Sequence, residues 1–174
     1  SAAAPIAAAG AAFEWLQASA LVHDDLMDGS DTRRGRPSVH REFEARHIRS
    51  GSIGDPVLFG SRGAIVLGDL LLSWADEQFR RAEPDARTAN LWDTCKSEVA
   101  TGQFLDVLAQ TQANLSTESA RNVVRFKTTK YTVERPLHVG AALAGASDET
   151  LASLSKVALP LGEAFQLRDD VLGV

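Results

Sequence analysis

His23-Asp24-Asp25-Leu26-Met27-Asp28, continued by Gly29-Ser30-Asp31-Thr32-Arg33-Arg34-Gly35-Arg36-Pro37, is the stretch on which the fold and chemistry of this chain turn. It closes an apolar helical pattern that includes Phe13, Leu16, Ala20 and Leu21. On a helix Asp24 and Asp28 are four residues apart and share a face, with Asp25 beside them. Three carboxylates this close repel one another unless cations sit between them or water screens them. Hard oxygen donors, with further coordination sites left to water and phosphate oxygens, suit Mg²⁺. The arginines that follow are forked donors matched to phosphate. Acid cluster, polar turn and Arg-Arg together point to a site for a magnesium-bound diphosphate.

Outward from that stretch, a second acid pair stands near the other end, in Phe165-Gln166-Leu167-Arg168-Asp169-Asp170-Val171-Leu172-Gly173. Two aspartate pairs, each at the polar end of an apolar helix, suit a bundle in which they face each other and hold a metal cluster. No strand-like alternation and no repeat of 20 to 50 residues interrupts the helical patterning, so the fold expected is all-α.

Composition sets the outer bounds. With 174 residues, one domain covering 1–174 is the expectation, large enough to bury a core. Hydrophobic content of 44% and charged content of 24% are those of an ordinary globular protein. The net charge of −5 argues against a nucleic-acid partner, which calls for a basic face. An anionic chain that binds anionic diphosphates has to do so through metals and local arginines. The single cysteine, Cys95, excludes an internal disulfide, fits a reducing cytoplasm, and reads as a buried bystander rather than a nucleophile. The Ala-rich start lacks a positive n-region and runs straight into the functional helix, which argues against a secretory leader. No stretch reaches the roughly 18 uncharged apolar residues of a membrane span. Because the chain starts at Ser1 and stops at Val174 inside the second aspartate motif, it reads as part of a longer polypeptide, incomplete at both ends.

In chain order, the patterning predicts a helix from Ala3 to about Asp28 and a loop-rich stretch from Gly29 to Arg62. A short helix is expected within that stretch, from Ser38 to His47. His40 and His47 lack a third ligand at zinc spacing, which leaves them surface or structural roles. An apolar helix follows over Gly63–Arg81, with Asp69 inside it as a structural acceptor, and another from Ala89 to about Ala113. Gln103 and Asp106 share a face of that last helix, which on its own reads as a solvated face. Ser116 or Thr117 caps the next helix, which carries Lys127-Thr128. Lys130 and Arg135 read as part of a solvated basic turn, and Arg135-Pro136 as a disturbance of the helix. Asp148 opens a final helix through Pro160 to the second aspartate pair.

The pattern Asp24-Asp25-x-x-Asp28-x4-Arg33-Arg34-Gly35, then Lys127-Thr128, then Phe165-Gln166-x-x-Asp169-Asp170, resembles the trans-prenyltransferases. These are the isoprenyl diphosphate (polyprenyl) synthases, here of the bacterial geranylgeranyl type. The motifs match in order and spacing from about Ala12 to Gly173, and the first, with its Arg-Arg-Gly tail, is the most specific. The resemblance implies a helical bundle around a central cavity, the isoprenoid synthase type I fold. It implies a Mg²⁺-dependent prenyltransferase, with three ions held by Asp24, Asp25, Asp28, Asp169 and Asp170. Arg33 and Lys127 would neutralise the leaving diphosphate of an allylic substrate, and Arg34 would hold isopentenyl diphosphate. Gln103, Asp106, Thr128 and Gln166 would line the substrate cavity. The reaction implied is ionisation, condensation and elimination, giving an all-trans polyprenyl diphosphate.

Product length follows from the first helix. Phe13, Leu16, Ser19 and Ala20 lie below the aspartates, Phe13 about 16 Å down at 1.5 Å per residue. In the resembling family bulky aromatics one turn below the first aspartate stop the growing chain early. The small Ser19 and Ala20 imply a product of geranylgeranyl length or longer, unless Ala20 merely admits a neighbouring helix. The resemblance further implies a cytoplasmic homodimer joined through helices such as 63–81. Two alternatives remain beside it. A class I terpene cyclase shares the fold and first motif but needs an Asn/Asp-x3-Ser/Thr-x3-Glu second motif. A non-catalytic subunit of a heteromeric synthase accounts for the missing upstream Gly-Gly-Lys-Arg-x-Arg segment and for Gly173 at an aspartate position.

Overall fold

The computed structural model describes residues 3–114 and 116–172, with the side chain of Asp170 outside the description. In order it contains α1 (Ala3–Met27), β1 (Thr32–Arg33), β2 (Arg36–Pro37), α2 (Val39–Arg49), α3 (Pro56–Arg80), α4 (Ala86–Ala109) and α5 (Thr117–Val124). A π-helical segment (Arg125–Glu134), α6 (Arg135–Leu143) and α7 (Asp148–Leu172) complete it. Among the described residues the all-α expectation holds apart from one hairpin of two-residue strands. The backbone packs into two compact units: residues 11–78, and the residues up to 10 together with those from 79 onward.

In the 11–78 unit, α1 presents a buried stripe of Ala12, Leu16, Ser19, Val22 and Asp25, spaced three and four apart as a helix face requires. Val22 packs with Ala64 and Leu71 of α3, and Leu26, Val39 and Leu67 cover that cluster. Ser19 Oγ donates to the Gly68 carbonyl at 2.8 Å, and Trp15 meets Trp74 edge-on at 5.3 Å, so α1 and α3 run antiparallel. A Cβ at Gly68 would stand 2.1 Å from His23 Nε2, so a larger residue there would have to displace that ring. Buried His40 and His47 take the structural role. His40 Nδ1 lies 3.2 Å from Ser38 Oγ, and His47 Nε2 lies 3.1 Å from the Ile53 carbonyl.

The loop expected up to Arg62 is shorter than that, because α3 starts at Pro56. Asp55 Oδ1 accepts the amides of Val57 and Leu58, and proline at the first helical position has no amide to leave unpaired. Gly54-Asp55-Pro56 is therefore a helix start that reads in sequence as a turn. By length and composition α3 is also long and apolar enough to cross a membrane; the uncharged run sought in the sequence is interrupted by Asp69. Ala64, Leu71 and Ala75 of α3 are buried, while Val66, Leu70 and Trp74 remain exposed.

In the other unit, α4 begins at an Asp85 cap that accepts the Thr88 amide at 2.7 Å, and α5 at a Ser116 cap. The helix expected to carry Lys127 onward is π-wound over ten residues. The Arg135 amide donates to the Lys130 carbonyl, five residues back, which is the π pattern. The widened turn comes just before Pro136, whose ring in a regular helix would press on the carbonyl four residues earlier.

Candidate functional site

The aspartate motif is shaped by the way α1 ends. Gly29 takes φ +63°, its amide bonds the Leu26 carbonyl, and the Ser30 amide bonds the Asp25 carbonyl at 2.9 Å. This pair of bonds is a Schellman cap, which needs a left-handed residue and therefore favours glycine. The chain then reverses through a two-residue hairpin whose turn residues, Arg34 and Gly35, stand at φ +52° and +74°. Positive φ at both positions is the type I′ geometry that suits the twist of a tight hairpin.

The reversal returns Arg33 to the aspartates. Its Nε donates to Asp25 Oδ1 at 2.8 Å and its Nη2 lies 2.7 Å from the same oxygen, with Asp24 Oδ2 at 3.5 Å. Asp25 is only 3% exposed. The structure thus pairs with each other two residues that the sequence reading assigned separately, Asp25 to metal and Arg33 to diphosphate. Asp24 and Asp28 differ from Asp25: Asp24 is partly exposed, Asp28 is exposed, and their carboxylate oxygens approach within 4.8 Å. These acids stand at the C-terminal end of α1, the negative end of the helix dipole, and the last turn holds no basic residue. Two hard oxygen donors at that separation, in a field that favours cations, fit a divalent ion such as Mg²⁺.

Of the expected chain-length residues, Leu16 and Ser19 are buried on the stripe just described, with Ser19 bonded to Gly68. Phe13 and Ala20 are partly exposed and lie on another face of α1, the one that continues to Asp24 and Asp28.

The second set of candidates gathers around the π segment. On α4, Glu98, Gly102 and Asp106 form a stripe at four-residue intervals. A Cβ on Gly102 would lie 2.3 Å from the Lys127 amide nitrogen, so the two backbones touch there. Asp106 Oδ2 accepts from Lys127 Nζ at 2.5 Å. Sequence alone left the Gln103–Asp106 face open between solvent and cavity; Asp106 is committed to Lys127, and Gln103 is partly buried. On α7, a Cβ on Gly162 would lie 2.6 Å from Thr129 Cγ2, and Thr129 is 0% exposed. Gln166 and Asp169 continue the Gly162 face one and two turns on, both partly buried. Asp170 lies on α7, its side chain outside the described residues. Thr128 is partly buried.

Lys130 and Arg135 are not a solvated turn. Lys130 Nζ donates to Glu98 Oε1 at 2.5 Å, and Arg135 clasps the same carboxylate through Nε (2.6 Å) and Nη2 (2.7 Å). Glu134 Oε2 lies 3.5 Å from Lys130 Nζ. Burial pushes the Glu98 carboxyl up, but the Arg135 and Lys130 hydrogen bonds outweigh it and hold the group below its ordinary value. The Glu98 hydrogen bond in turn raises Arg135. His138 bonds Ser155 Oγ (2.9 Å) and the Leu151 carbonyl (3.1 Å), and burial lowers its pKa. Cys95 is fully buried and its thiol is pushed up to about 12, chiefly by burial and then by Glu98, which suits a bystander. The Glu98 cluster escaped the sequence reading, although its place four residues before Gly102 and eight before Asp106 is a visible signal.

The polyprenyl synthetase family model matches residues 2–174, and the chain belongs to that family. Its fold is the isoprenoid synthase fold. A geranylgeranyl pyrophosphate synthase from Corynebacterium glutamicum, crystallised with isoprenyl diphosphate and magnesium, is 44% identical with a TM-score of 0.94, covering 98% of this chain and 49% of that one. Geranylfarnesyl diphosphate synthase from Natronomonas pharaonis is 34% identical over 96% of this chain and 45% of its own length. Geranylgeranyl diphosphate synthase from Methanosarcina mazei is 36% identical over 94% of this chain and 47% of its own. The chain thus spans about half the length of the curated relatives it matches.

Proposed function

We propose that the protein carrying this chain is a cytoplasmic, Mg²⁺-dependent trans-prenyltransferase. It joins isopentenyl diphosphate to an allylic diphosphate and releases an all-trans polyprenyl diphosphate of geranylgeranyl length or longer. The observation that carries this reading is the pair Asp24–Asp28, two carboxylates within 4.8 Å of each other at the negative end of α1. Asp24 and Asp28, with Asp169 and Asp170 of the second motif, are the proposed magnesium ligands, three ions being the number the resemblance implies. Bound magnesium would supply positive charge to the diphosphate oxygens as the allylic carbon–oxygen bond breaks.

The protein's own groups do the rest. Lys127, now held on Asp106, and Thr128 donate to the diphosphate, and Arg34 on its rigid turn offers a second fork to isopentenyl diphosphate. Arg33 has a different part in this reading. It neutralises Asp25 and thereby fixes the aspartate-bearing turn, which allows Asp24 and Asp28 to turn their oxygens to the metal. Donors fixed in advance at the developing charge lower the barrier without reorganising. Phe13 and Ala20, on the Asp24 face, bound the path of the growing chain. A homodimer is proposed as the working assembly, with exposed Val66, Leu70 and Trp74 of α3 offering the apolar surface for it.

The test is to incubate the full-length protein with Mg²⁺, isopentenyl diphosphate and allylic diphosphates of five, ten or fifteen carbons, and to identify products by mass spectrometry. Elongated prenyl diphosphates are expected. A cyclised hydrocarbon formed without isopentenyl diphosphate, or no product at all, would contradict the proposal.

A further inference from the structure

The Glu98 cluster has no place in the chemistry above, yet Glu98 accepts three charge-assisted hydrogen bonds from Lys130 and Arg135. Glu98 and Glu134 face Lys130 and Arg135, two carboxylates against two cations, all largely shielded from water. Lys130 also lies 5.4 Å from the Phe126 ring centre. A balanced buried cluster of this kind adds little net stability over apolar packing, because each ion gives up its hydration. In some proteins such clusters hold one register against others.

The register at stake is that of the π segment. Five-residue hydrogen bonding is rare, and a run of ten residues is longer than the single turns in which it usually occurs. Reverting to four-residue winding would rotate Lys127 about the helix axis relative to Lys130 and Arg135. Glu98 on α4 bonds both of the latter, one inside the π segment and one just beyond it, and so ties its end to α4. One turn further along α4, Gly102 lies against the Lys127 backbone, and one turn beyond that Asp106 takes Lys127 Nζ. Glu98, Gly102 and Asp106 therefore read three successive features of the same segment. Gly162 holds the other side at Thr129.

From these contacts we infer that Glu98 is a positioning residue, which locks the π winding of 125–134 and so sets Lys127 and Thr128 where they bind diphosphate. This inference rests on the diphosphate-binding role proposed for Lys127. It differs from a purely structural role in what should fail when Glu98 is altered: affinity for diphosphate, in protein that is still folded.

The experiment compares wild type, Glu98→Gln, the double variant Glu98→Gln/Lys130→Met, and Lys127→Met in the full-length protein. Thermal midpoint, KM and kcat for the allylic substrate, and calorimetric binding of inorganic diphosphate with Mg²⁺ are measured for each. Glu98→Gln leaves buried cations in excess and lowers the midpoint. The double variant restores charge balance and recovers the midpoint, but not the tie from α4 to the π segment. In both, KM and the diphosphate Kd should rise by roughly ten- to a hundredfold, as expected when a binding group is misplaced by about an ångström, with kcat changed far less. If the double variant recovers affinity along with stability, or if folded Glu98→Gln protein keeps a wild-type KM and Kd, the positioning role is overturned. If Lys127→Met itself leaves both constants unchanged, the parent assignment of Lys127 fails first and takes the inference with it.

Discussion

At the end of α1, three aspartates stand within two turns and Arg33 spans two of them; around Glu98, two carboxylates and two cations balance. Both clusters join a helix to the segment packed beside it, and both use an arginine that makes two contacts to one carboxylate. They differ in how far their carboxylates are exposed. The Glu98 cluster is shielded and neutral, so its effect is spent on backbone shape. In the α1 cluster Arg33 holds the buried Asp25 and reaches Asp24, while Asp24 and Asp28 keep more exposure to solvent at a helix end whose dipole favours a cation. Exposure separates a carboxylate that builds the site from those that can reach a ligand.

The sharpest way to break that distinction is to compare neighbouring aspartates. Asp24→Ala is expected to lower prenyl transfer by on the order of 10²–10³-fold, the scale of losing one preorganised electrostatic contact to a developing charge. Asp25→Asn should act mainly on stability, by about 1–3 kcal/mol, because a buried partner of Arg33 loses its charge-assisted bonds. Steady-state kinetics and urea unfolding of both variants check this. Equal catalytic losses in the two would erase the difference between ligand and anchor.

Close backbone contact gives the next largest effect. In Gly102→Ala the new methyl meets the Lys127 backbone, which cannot rotate away, and a loss of about 2–3 kcal/mol is expected even after the gain in helix propensity. Gly29→Ala, at φ +63° with open space around it, should cost only about 1–2 kcal/mol from backbone strain. Denaturant midpoints of the two variants rank the contacts.

The smallest effect is a pH dependence. The folded pKa of His138 lies below its ordinary 6.5, so the unfolded chain binds the proton more readily. Its contribution is fully present above about pH 6.5 and is lost as pH falls toward the folded value. The thermal midpoint should therefore fall between pH 7 and pH 5.5, and His138→Asn should flatten that slope.

Much of this was legible in the sequence because it depends on local patterns. The α1 span, the aspartates at its end, the Ser116 cap and the start of α7 at Asp148 all follow from periodicity and capping chemistry. The start of α3 was misplaced because Gly-Asp-Pro serves equally as a turn and as a cap with proline at the first position. The π winding was foreshadowed only by Pro136, since no composition marks a π segment and the clamp by Gly102 and Gly162 is made by residues distant in sequence. Lys130 and Arg135 read as solvated because their partner, Glu98, lies on another helix. Asp25 and Arg33 were read toward ligands for the same reason: their mutual bond requires the Gly29 cap and the hairpin to bring them back together.

The most direct test of the central claim is a calorimetric titration of inorganic diphosphate into the full-length protein with and without Mg²⁺, repeated for Asp24→Ala and Asp25→Asn. Magnesium-dependent binding that is abolished by Asp24→Ala and kept within a few-fold by Asp25→Asn is the predicted result. Binding that needs no magnesium, or that survives Asp24→Ala unchanged, would contradict the account.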